Sequence, residues 1–585
     1  MLEPPSSSQH SAWINSAAVL RSALTTLLRL RPETAHWTLI FEYELPRERG
    51  RRPDVVLLAG GSILVLEFKD FATPLQAHLD QVAAYARDLR HYHAGSHNRL
   101  VLPVLVPTLS EATSSERDGV RIMPPVALAG ALAVTVDATD DIVLDLQSWL
   151  YADYAPLPSL VAAARTIFQH EPLPQIRRAQ SAGIAETVAQ LVQIVSHAEA
   201  RSERHLALVT GVPGAGKTLV GLQFVYHTHF EQGSGRRAAV FLSGNRPLVQ
   251  VLQYALGSKA FVQDVHGFLR QYGVTQDRRP AEHIWVYDEA QRAFDAAQAG
   301  EKRAHHVSEP EDFLHLGQGM PGWAAVVGLI GEGQEIHVGE EEGLQLWNDA
   351  IAATGGAWTV HCPTKLESFF THAAQVRSSD DLDLTTSLRS HLAEDVQHWV
   401  AQLLRGELPA AAATAAQIRD QGFHLYVTQD LRRAAKYVHL RYRGQQEKRY
   451  GLLASSKARN LARYGVNNDY EVTKNLPAGP WYHDPPASPR SCCQLRSVAT
   501  EFAAQGLELD FPLISWGDDL RWVSGKWVSP QPFQTKARDP HQLRLNSYRV
   551  LLSRGRDGLL VFVPPTAPME TTFGALTSAG LTVLR

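Results

Sequence analysis

The sequence predicts an α/β protein divided into three successive blocks, the second and third built on parallel sheets. Short apolar strands alternate with helical segments along most of the 585 residues, and this alternation is typical of parallel α/β sheets. A chain of this length is too long to fold around a single hydrophobic core, so several domains are expected. Residues 155–175 contain four prolines and indicate a linker. We therefore expect domains at residues 1–170, 171–376 and 377–585.

Composition narrows the class of protein. The hydrophobic fraction of 44% and the charged fraction of 20% are those of ordinary globular domains. The net charge of -4 gives no global attraction to nucleic acid, so such a site must be a local basic patch. Cys362, Cys492 and Cys493 offer neither a disulfide framework nor a zinc spacing, which favours a reducing compartment. With no apolar run of about 18 residues and no signal-peptide pattern at Met1–His10, we expect a cytoplasmic protein without membrane contact.

A phosphate-binding loop is predicted directly after the apolar strand Leu206–Thr210. The residues that follow match the pattern GxxxxGK[ST], and a helical segment comes next. Glycines let the backbone curl so that several N–H groups point at phosphate oxygens. We expect Lys217 to reach the β- and γ-phosphates of a nucleotide and the Thr218 hydroxyl to ligate Mg²⁺. The glycines expected to line the phosphates are Gly211, Gly214 and Gly216.

Two acidic residues follow a second apolar strand, Ile284–Tyr287. Beside a phosphate loop, Asp288 would hold the Mg²⁺ and Glu289 would orient the attacking water. Two acids after a strand could equally cap a helix. The phosphate loop upstream favours the nucleotide-site interpretation.

A second cluster of charged residues is predicted in the first block. Two apolar strands flank the turn Gly60-Gly61, so paired positions have numbers that sum to 121, and Asp54 lies opposite Glu67. Directly opposed Cβ atoms are about 5 Å apart, and Lys69 shares the face of Glu67. Two facing carboxylates with a lysine suit a divalent metal that activates water against a phosphodiester. The alternative is a solvated hairpin end with charges at its rim.

This segment resembles the PD-(D/E)xK nuclease core over about residues 37–106, with Asp54, Glu67 and Lys69 matching its signature. On the next helix, Gln81 and Tyr85 are one turn apart and resemble the QxxxY addition of the RecB-like branch. The resemblance implies a restriction-endonuclease-like α/β domain that cleaves nucleic acid with Mg²⁺ or Mn²⁺. Glu44 is a weaker candidate for a further upstream acid.

The second and third blocks resemble superfamily 1 helicases in the order of their motifs. The matching segments are Leu242–Asn245, Val265–Phe268, Asp288–Gln291, Gly331–Glu335, Leu388–Ser390, Ala499–Phe502 with Gln505–Glu508, and Tyr548–Arg554. Within them, Leu329–Ile336 and Gln505–Asp510 resemble the uncharacterised helicase family related to the motor domain of Schlafen proteins, over about residues 179–565.

The helicase resemblance implies two RecA-like parallel-sheet domains with ATP and Mg²⁺ bound between them. Gln334 would sense the γ-phosphate, and Glu508 would contact the nucleotide sugar. Arg389 and Arg554 would neutralise charge that develops during hydrolysis. Because these arginines belong to the third block, they would reach ATP only when the cleft closes, which would couple hydrolysis to domain motion.

These features together predict an ATP-dependent helicase or translocase joined to a metal-dependent nuclease, acting in DNA repair or in defence against foreign nucleic acid. We expect nucleic acid as the partner, DNA in preference to RNA. Two alternatives stay open: a translocase whose first domain only binds nucleic acid, and a sensor ATPase that recognises a partner protein.

Two basic clusters are candidates for the path of nucleic acid, and each is equally consistent with a solvated helix face. They comprise Arg47, Arg49, Arg51 and Arg52 in the first block, and Arg432, Arg433, Lys436, Arg441, Arg443, Lys448 and Arg449 in the third, interleaved with Tyr437, Tyr442 and Tyr450.

Overall fold

In the residues that it describes, the computed structural model has three large sheets and a small two-stranded one, and it confirms the predicted α/β class. It describes residues 7–46, 48, 50–135, 144–154, 160–168, 183–212, 215–230, 239–273, 278–303, 306–331, 340–385, 391–530 and 539–584. No helix within these ranges combines the length and the apolar character needed to cross a bilayer.

The N-terminal sheet has six strands in the order β1-β2-β3-β4-β6-β5. Its first three strands are antiparallel, and β4 runs parallel to β3. The strands are β1 (Thr38–Phe41), β2 (Val55–Ala59), β3 (Ser62–Lys69), β4 (Val101–Pro107), β5 (Ser115–Arg117) and β6 (Val120–Ile122), and the helices are α1 (Ser7–Leu30), α2 (Gln76–Tyr92), α3 (Pro125–Thr135) and α4 (Leu146–Leu150).

Alternation along β2 and β3 gives this sheet two apolar faces. One face carries Val56 and Val65 and packs under α2, whereas the other carries Leu57 and Leu64 and packs under α1 and α3. The hairpin register is the predicted one, since Val55 pairs with Leu66 and the turn uses Gly60 at a φ of 60°. A slip of one residue would exchange the two faces, so burial on both sides fixes the pairing.

The middle sheet has eight parallel strands, in the order β13-β12-β7-β11-β10-β8-β9 with β14 beside β7. Apart from Arg204 at the start of β7, its central strands β7, β10 and β11 are fully buried, because helices cover both faces. The strands are β7 (Arg204–Gly211), β8 (Ala239–Ser243), β9 (Val262–Asp264), β10 (Ile284–Asp288), β11 (Ala324–Gly331), β12 (Thr359–Cys362), β13 (Gln375–Ser378) and β14 (Asp383–Leu384). The helices are α5 (Leu160–Phe168), α6 (Ile184–Arg201), α7 (Lys217–Phe230), α8 (Arg246–Leu256), α9 (Val265–Tyr272), α10 (Ala296–Arg303), α11 (Glu309–Gln318) and α12 (Glu340–Ala353).

The third sheet is also parallel, with six strands in the order β17-β16-β18-β21-β15-β22, and the hairpin β19–β20 lies beside it. The strands are β15 (His424–Thr428), β16 (Leu452–Ala454), β17 (Val498–Thr500), β18 (Leu513–Ser515), β19 (Arg521–Val523), β20 (Lys526–Val528), β21 (Gly558–Phe562) and β22 (Thr582–Val583). The helices are α13 (His391–Arg405), α14 (Leu408–Asp420), α15 (Leu431–Arg441), α16 (Tyr470–Thr473), α17 (Ala478–His483), α18 (Glu501–Ala504), α19 (Pro540–Leu552) and α20 (Ala567–Ser578).

Two of the predicted boundaries fall inside packed structure. The boundary between residues 376 and 377 divides β13, and β14 still pairs with β7, so the middle sheet continues to Leu384. The predicted linker at residues 155–175 contains α5, whose apolar residues Val161 and Ile167 pack against α7 and α8. The prolines of this segment flank the helix and therefore do not interrupt it.

We predict that Gly221→Ala destabilises the middle sheet, because α7 lies close to the strands beneath it. An added Cβ would be 2.8 Å from the Leu329 side chain and 2.9 Å from that of Phe241. Overpacking of this kind should lower the free energy of unfolding by roughly 1–3 kcal/mol in chemical denaturation. The control is Gly574→Ala in α20, where a Cβ meets nothing within 4 Å. The control should stabilise the protein slightly, and equal responses would contradict the close approach.

Candidate functional site

The phosphate loop joins the end of β7 to the beginning of α7. Gly211 ends the strand, and a Cβ there would be 2.8 Å from that of Leu384, so a larger residue does not fit. Gly216 has a φ of 91°, a left-handed conformation that favours glycine. The Lys217 Nζ donates to the carbonyls of Gly211 at 2.6 Å and Val212 at 3.2 Å, so its ammonium lies against the loop. Gly214 lies outside the described residues.

Asp288 meets the phosphate loop at the carboxyl edge of the middle sheet. The Thr218 Oγ1 donates to the Asp288 carboxylate at 3.2 Å. Burial, followed by the neighbouring charge of Glu289, raises the pKa of Asp288 to about 7. The donor set of one hydroxyl and one carboxylate fits Mg²⁺, which keeps several waters and takes few protein ligands. With this pKa the Asp288 carboxyl is partly protonated at neutral pH, and a bound cation would displace that proton.

Glu289 has a φ of 58°, an uncommon backbone conformation for this residue type. Its carboxylate accepts a hydrogen bond from the Gln291 Nε2 at 2.7 Å. The Gln291 Oε1 in turn accepts from the backbone N–H of Gly331 at 3.0 Å, where β11 ends. Gln291 therefore links the Glu289 carboxylate to the end of β11, directly before residues 332–339. The sequence showed Gln291 within the acidic motif but gave it no role.

The other predicted nucleotide contacts are distributed as follows. Gln334 and Arg389 lie outside the described residues. Arg554 follows α19 and donates from Nε to the Val550 carbonyl at 2.9 Å and from Nη2 to the Ser553 Oγ at 2.9 Å. The Glu508 side chain is 41% exposed, with its Oε2 4.0 Å from the Arg556 Nε. The roles of these residues stay predictions.

The middle and third sheets are in direct contact beside these segments. The Asn245 Nδ2 donates to the Gln505 carbonyl at 2.9 Å, and the left-handed Gly506 allows this approach. The Tyr254 Oη donates to Asp484 at 2.8 Å. Two segments matched to separate helicase motifs thus touch across the boundary between the sheets.

The N-terminal acid cluster forms at the end of the β2–β3 hairpin away from its turn. The Asp54 Oδ2 accepts from the backbone N–H of Phe68 at 2.7 Å, and the Glu67 Oε2 accepts from the backbone N–H of Asp54 at 3.4 Å. The Lys69 Nζ donates to the Glu67 Oε1 at 2.8 Å. The predicted register therefore brings both carboxylates and the lysine together.

Helix α2 adds two further polar groups to this cluster. The Gln81 Nε2 donates to the Glu67 Oε1 at 3.1 Å and lies 3.4 Å from the Tyr85 Oη. The Arg51 guanidinium lies 5.1 Å from the centre of the Tyr85 ring. All five residues predicted for this cluster, Asp54, Glu67, Lys69, Gln81 and Tyr85, are thus neighbours.

The charges of the cluster do not balance by themselves. Loss of water, followed by the charge of Glu67, raises the pKa of Asp54 well above its ordinary value. Burial opposes the Lys69 charge, but Glu67 and Asp54 outweigh it and raise the pKa of the lysine. Two carboxylates with one ammonium fit a hard divalent cation that takes one or two carboxylates and keeps its waters. Groups of three or more His, Cys, Asp or Glu ligands are absent from the described part of the chain.

Two residues near this cluster escaped sequence reasoning. Glu42 has a pKa raised by burial and then by Glu67, whereas the predicted Glu44 is exposed and paired with Arg52. Glu42 is therefore the upstream acid that interacts electrostatically with the Asp54 and Glu67 carboxylates. His78 is buried on the Gln81 face of α2, and burial, followed by Lys69, lowers its pKa to about 4. No pattern in the sequence distinguished either residue from its neighbours.

Several described residues of the two basic clusters are buried or paired, so they are not available to contact nucleic acid. Arg441 and Arg449 are buried in the third block, and so are the tyrosines Tyr437, Tyr442 and Tyr450, which leaves none of these rings free to stack on a base. In the first block Arg51 is buried and pairs with Asp88, Arg52 pairs with Glu44, and Arg47 and Arg49 lie outside the described residues. The exposed remainder is Arg432, Arg433, Lys436 and Arg443.

A phosphate loop and an acidic strand end at one edge of a parallel sheet define the class of P-loop nucleotide-binding proteins. Residues 204–565 match the family described as Schlafen group 3, DNA/RNA helicase domain. That span is more than half of the chain, and the chain belongs to this family.

The other comparisons add little to this assignment. No curated protein matches the chain. Among solved structures, the crystal structure of the Pyrococcus furiosus Hef helicase domain aligns with 66% of this chain and 98% of its own at 13% identity, with a TM-score of 0.22. The family assignment rests on the sequence match alone.

We predict that Mg²⁺-dependent binding of a fluorescent ADP weakens as pH falls through about 7. The pKa of Asp288 is raised to about 7, so its proton competes with the cation below that pH and is absent above it. Glu289→Gln removes the like charge that raises the pKa, so the midpoint of its binding profile should move to lower pH. Protonation of the nucleotide affects both proteins equally. Identical midpoints would contradict this account of Asp288.

Proposed function

We propose that this protein is an ATP-dependent helicase or translocase with a metal-dependent nuclease in its first domain. The observation that supports the motor is the hydrogen bond between Thr218 and Asp288, which joins the phosphate loop to the acidic strand end within the span matched to a helicase family. We propose the three successive domains that the sequence predicts, with the middle domain including α5 and continuing through β13 and β14 to Leu384.

The proposed roles at the nucleotide site follow from charge and position. Mg²⁺, when bound with ATP, neutralises charge on the phosphate oxygens, and Thr218 with Asp288 would hold it. The Lys217 ammonium would bind the β- and γ-phosphates, and Glu289 would orient the attacking water. The Gln291 amide would keep that carboxylate in place. In the proposed mechanism the remaining contacts to ATP come from Gln334, Arg389, Arg554 and Glu508.

The nuclease proposal is supported by the convergence of five polar residues at one hairpin end. Mg²⁺ or Mn²⁺ at such a site supplies Lewis acidity to a phosphodiester, and Asp54 with Glu67 would hold it. The Lys69 ammonium would stabilise the attacking hydroxide, and the Gln81 amide would fix the orientation of Glu67. The proposed substrate is DNA in preference to RNA, in repair or in defence against foreign nucleic acid.

We predict that Lys217→Ala abolishes ATP hydrolysis, because the ammonium that binds the phosphates is lost. Phosphate release should fall by at least roughly 100-fold, the scale seen when one stabilising group is removed from an active site. Phosphate release should be measured alone and with added single- and double-stranded DNA and RNA. Native hydrolysis that no nucleic acid stimulates would favour a sensor ATPase, and normal hydrolysis by the variant would contradict the motor proposal.

We predict that Glu67→Gln abolishes cleavage of labelled DNA with Mn²⁺ while ATP hydrolysis persists. The substitution removes one of two carboxylates but keeps the size of the side chain. The matched control is Glu44→Gln, an exposed glutamate between β1 and β2 that pairs with Arg52, and it should cleave normally. If the native protein binds DNA without cleaving it, the first domain is a binding module only.

A further inference from the structure

Helix α2 presents two different faces to two different partners. Gln81 and Tyr85 face the acid cluster of the N-terminal hairpin. Asp80 and Arg87 bond instead to residues of the third block. Consecutive helical positions point about 100° apart, so Asp80 and Gln81 can serve opposite partners from one turn. A displacement of this turn would therefore change the contacts with the acid cluster and the contacts with the third block.

Asp80 is held by the third block within a buried polar network. Its side chain is 1% exposed, and its Oδ2 accepts from the Tyr426 hydroxyl at 2.8 Å and from the Tyr437 hydroxyl. The Arg441 Nη1 lies 3.4 Å from the same oxygen. The Arg441 guanidinium is also 1% exposed, its Nε and Nη2 make no hydrogen bond, and Asp80 is the carboxylate with which it forms an ion pair.

A second connection lies two turns further along α2. The Arg87 Nη2 donates to the Asp557 Oδ1 at 3.0 Å, and its Nη1 donates to the Gly422 carbonyl at 3.1 Å. The Lys448 Nζ bridges Asp557 and Asp510, at 2.9 Å from each. These contacts form a continuous line of charges from α2 into the third sheet.

This line ends beside the segments expected to contact ATP. Asp510 closes the motif-like segment that contains Glu508, and Asp557 follows shortly after Arg554. The two segments run side by side, since the backbone N–H of Leu509 donates to the Arg554 carbonyl at 2.8 Å. A shift of the third block on nucleotide binding would therefore be transmitted to Asp510 and Asp557.

The interface resists sliding because its charges are buried. Separating Asp80 from Arg441 would leave an uncompensated charge in the interior, which is strongly unfavourable. A Cβ on Gly422 would lie 2.7 Å from the Arg87 Cδ, so the backbone of the third block already touches the arginine stem. The third block and α2 should consequently move together.

We propose that α2 couples the nucleotide cleft to the N-terminal acid cluster, with Asp80 and Arg87 as positioning residues that set Gln81 against Glu67. The proposal rests on the proposed function and names its regulation: cleavage depends on the nucleotide state of the motor.

The first test is hydrogen exchange of the full chain with and without a non-hydrolysable ATP analogue. Exchange of the α2 amides should change by at least roughly threefold on nucleotide binding. The change should vanish in Lys217→Ala, which cannot bind the phosphates, and in Arg87→Ala. The matched control is Arg90→Ala, an arginine of the same helix that donates to the Val101 carbonyl within the N-terminal sheet, and it should keep the response.

The second test measures cleavage of labelled DNA by the same proteins with and without the analogue. In Arg87→Ala and Asp80→Asn, kcat should fall roughly 10- to 100-fold, the loss expected when a catalytic group is slightly misplaced, with KM unchanged. Both variants should lose the dependence of cleavage on nucleotide, whereas ATP hydrolysis should persist. Thermal unfolding checks that each variant is folded, and Arg87→Ala serves if Asp80→Asn is not.

The outcomes separate the two proposals. If the native protein cleaves no better than Glu67→Gln, the nuclease assignment fails, and hydrogen exchange alone decides whether α2 responds to nucleotide. If the α2 amides of the native protein ignore the analogue, the coupling is overturned even where cleavage is strong. The coupling is overturned equally if Arg87→Ala behaves as Arg90→Ala in both measurements.

Discussion

Parallel pairing of three strands is the constraint on which the nucleotide site depends. β11 lies between β7 and β10, with Gly331 beside Gly211 and Leu329 beside Asp288. Strands that run in one direction end at one edge, so a loop and an acid far apart in sequence meet there. The Thr218 to Asp288 hydrogen bond and the Gln291 bridge to Gly331 both follow from this alignment.

Both candidate centres place a second carboxylate beside a buried one. Asp288 is next to Glu289, and Asp54 faces Glu67, and in each case burial followed by the like charge raises the pKa of the aspartate. Desolvation of a carboxylate beside a like charge costs free energy that a bound cation would offset, and such perturbed pairs are common at functional sites. One lysine accompanies each pair, Lys217 in the motor and Lys69 in the hairpin.

The third block is joined to the first by charges rather than by apolar surface alone. Asp80 and Arg441 are buried across this contact, and Arg87, whose side chain is 14% exposed, pairs with the buried Asp557. Buried ion pairs contribute little net stability, but they penalise any displaced arrangement heavily, so they define geometry more than they add strength. That property would fix the position of α2, which contacts Glu67 through Gln81, relative to the third block.

The sequence by itself determined the α/β class, the phosphate loop, the acidic strand end and the hairpin register, because each depends on spacing along a short stretch of chain. Its motif order also led to the helicase family. Only the tertiary structure decided that Glu42 rather than Glu44 lies in the field of the acid cluster, that Gln291 joins two strand ends, and that α5 packs on the middle sheet. It likewise showed that Arg441, one of the basic residues considered for the path of nucleic acid, lies in the interior and contacts Asp80. Burial and pairing depend on what distant segments bring to a residue, and a local pattern of side chains does not contain that information.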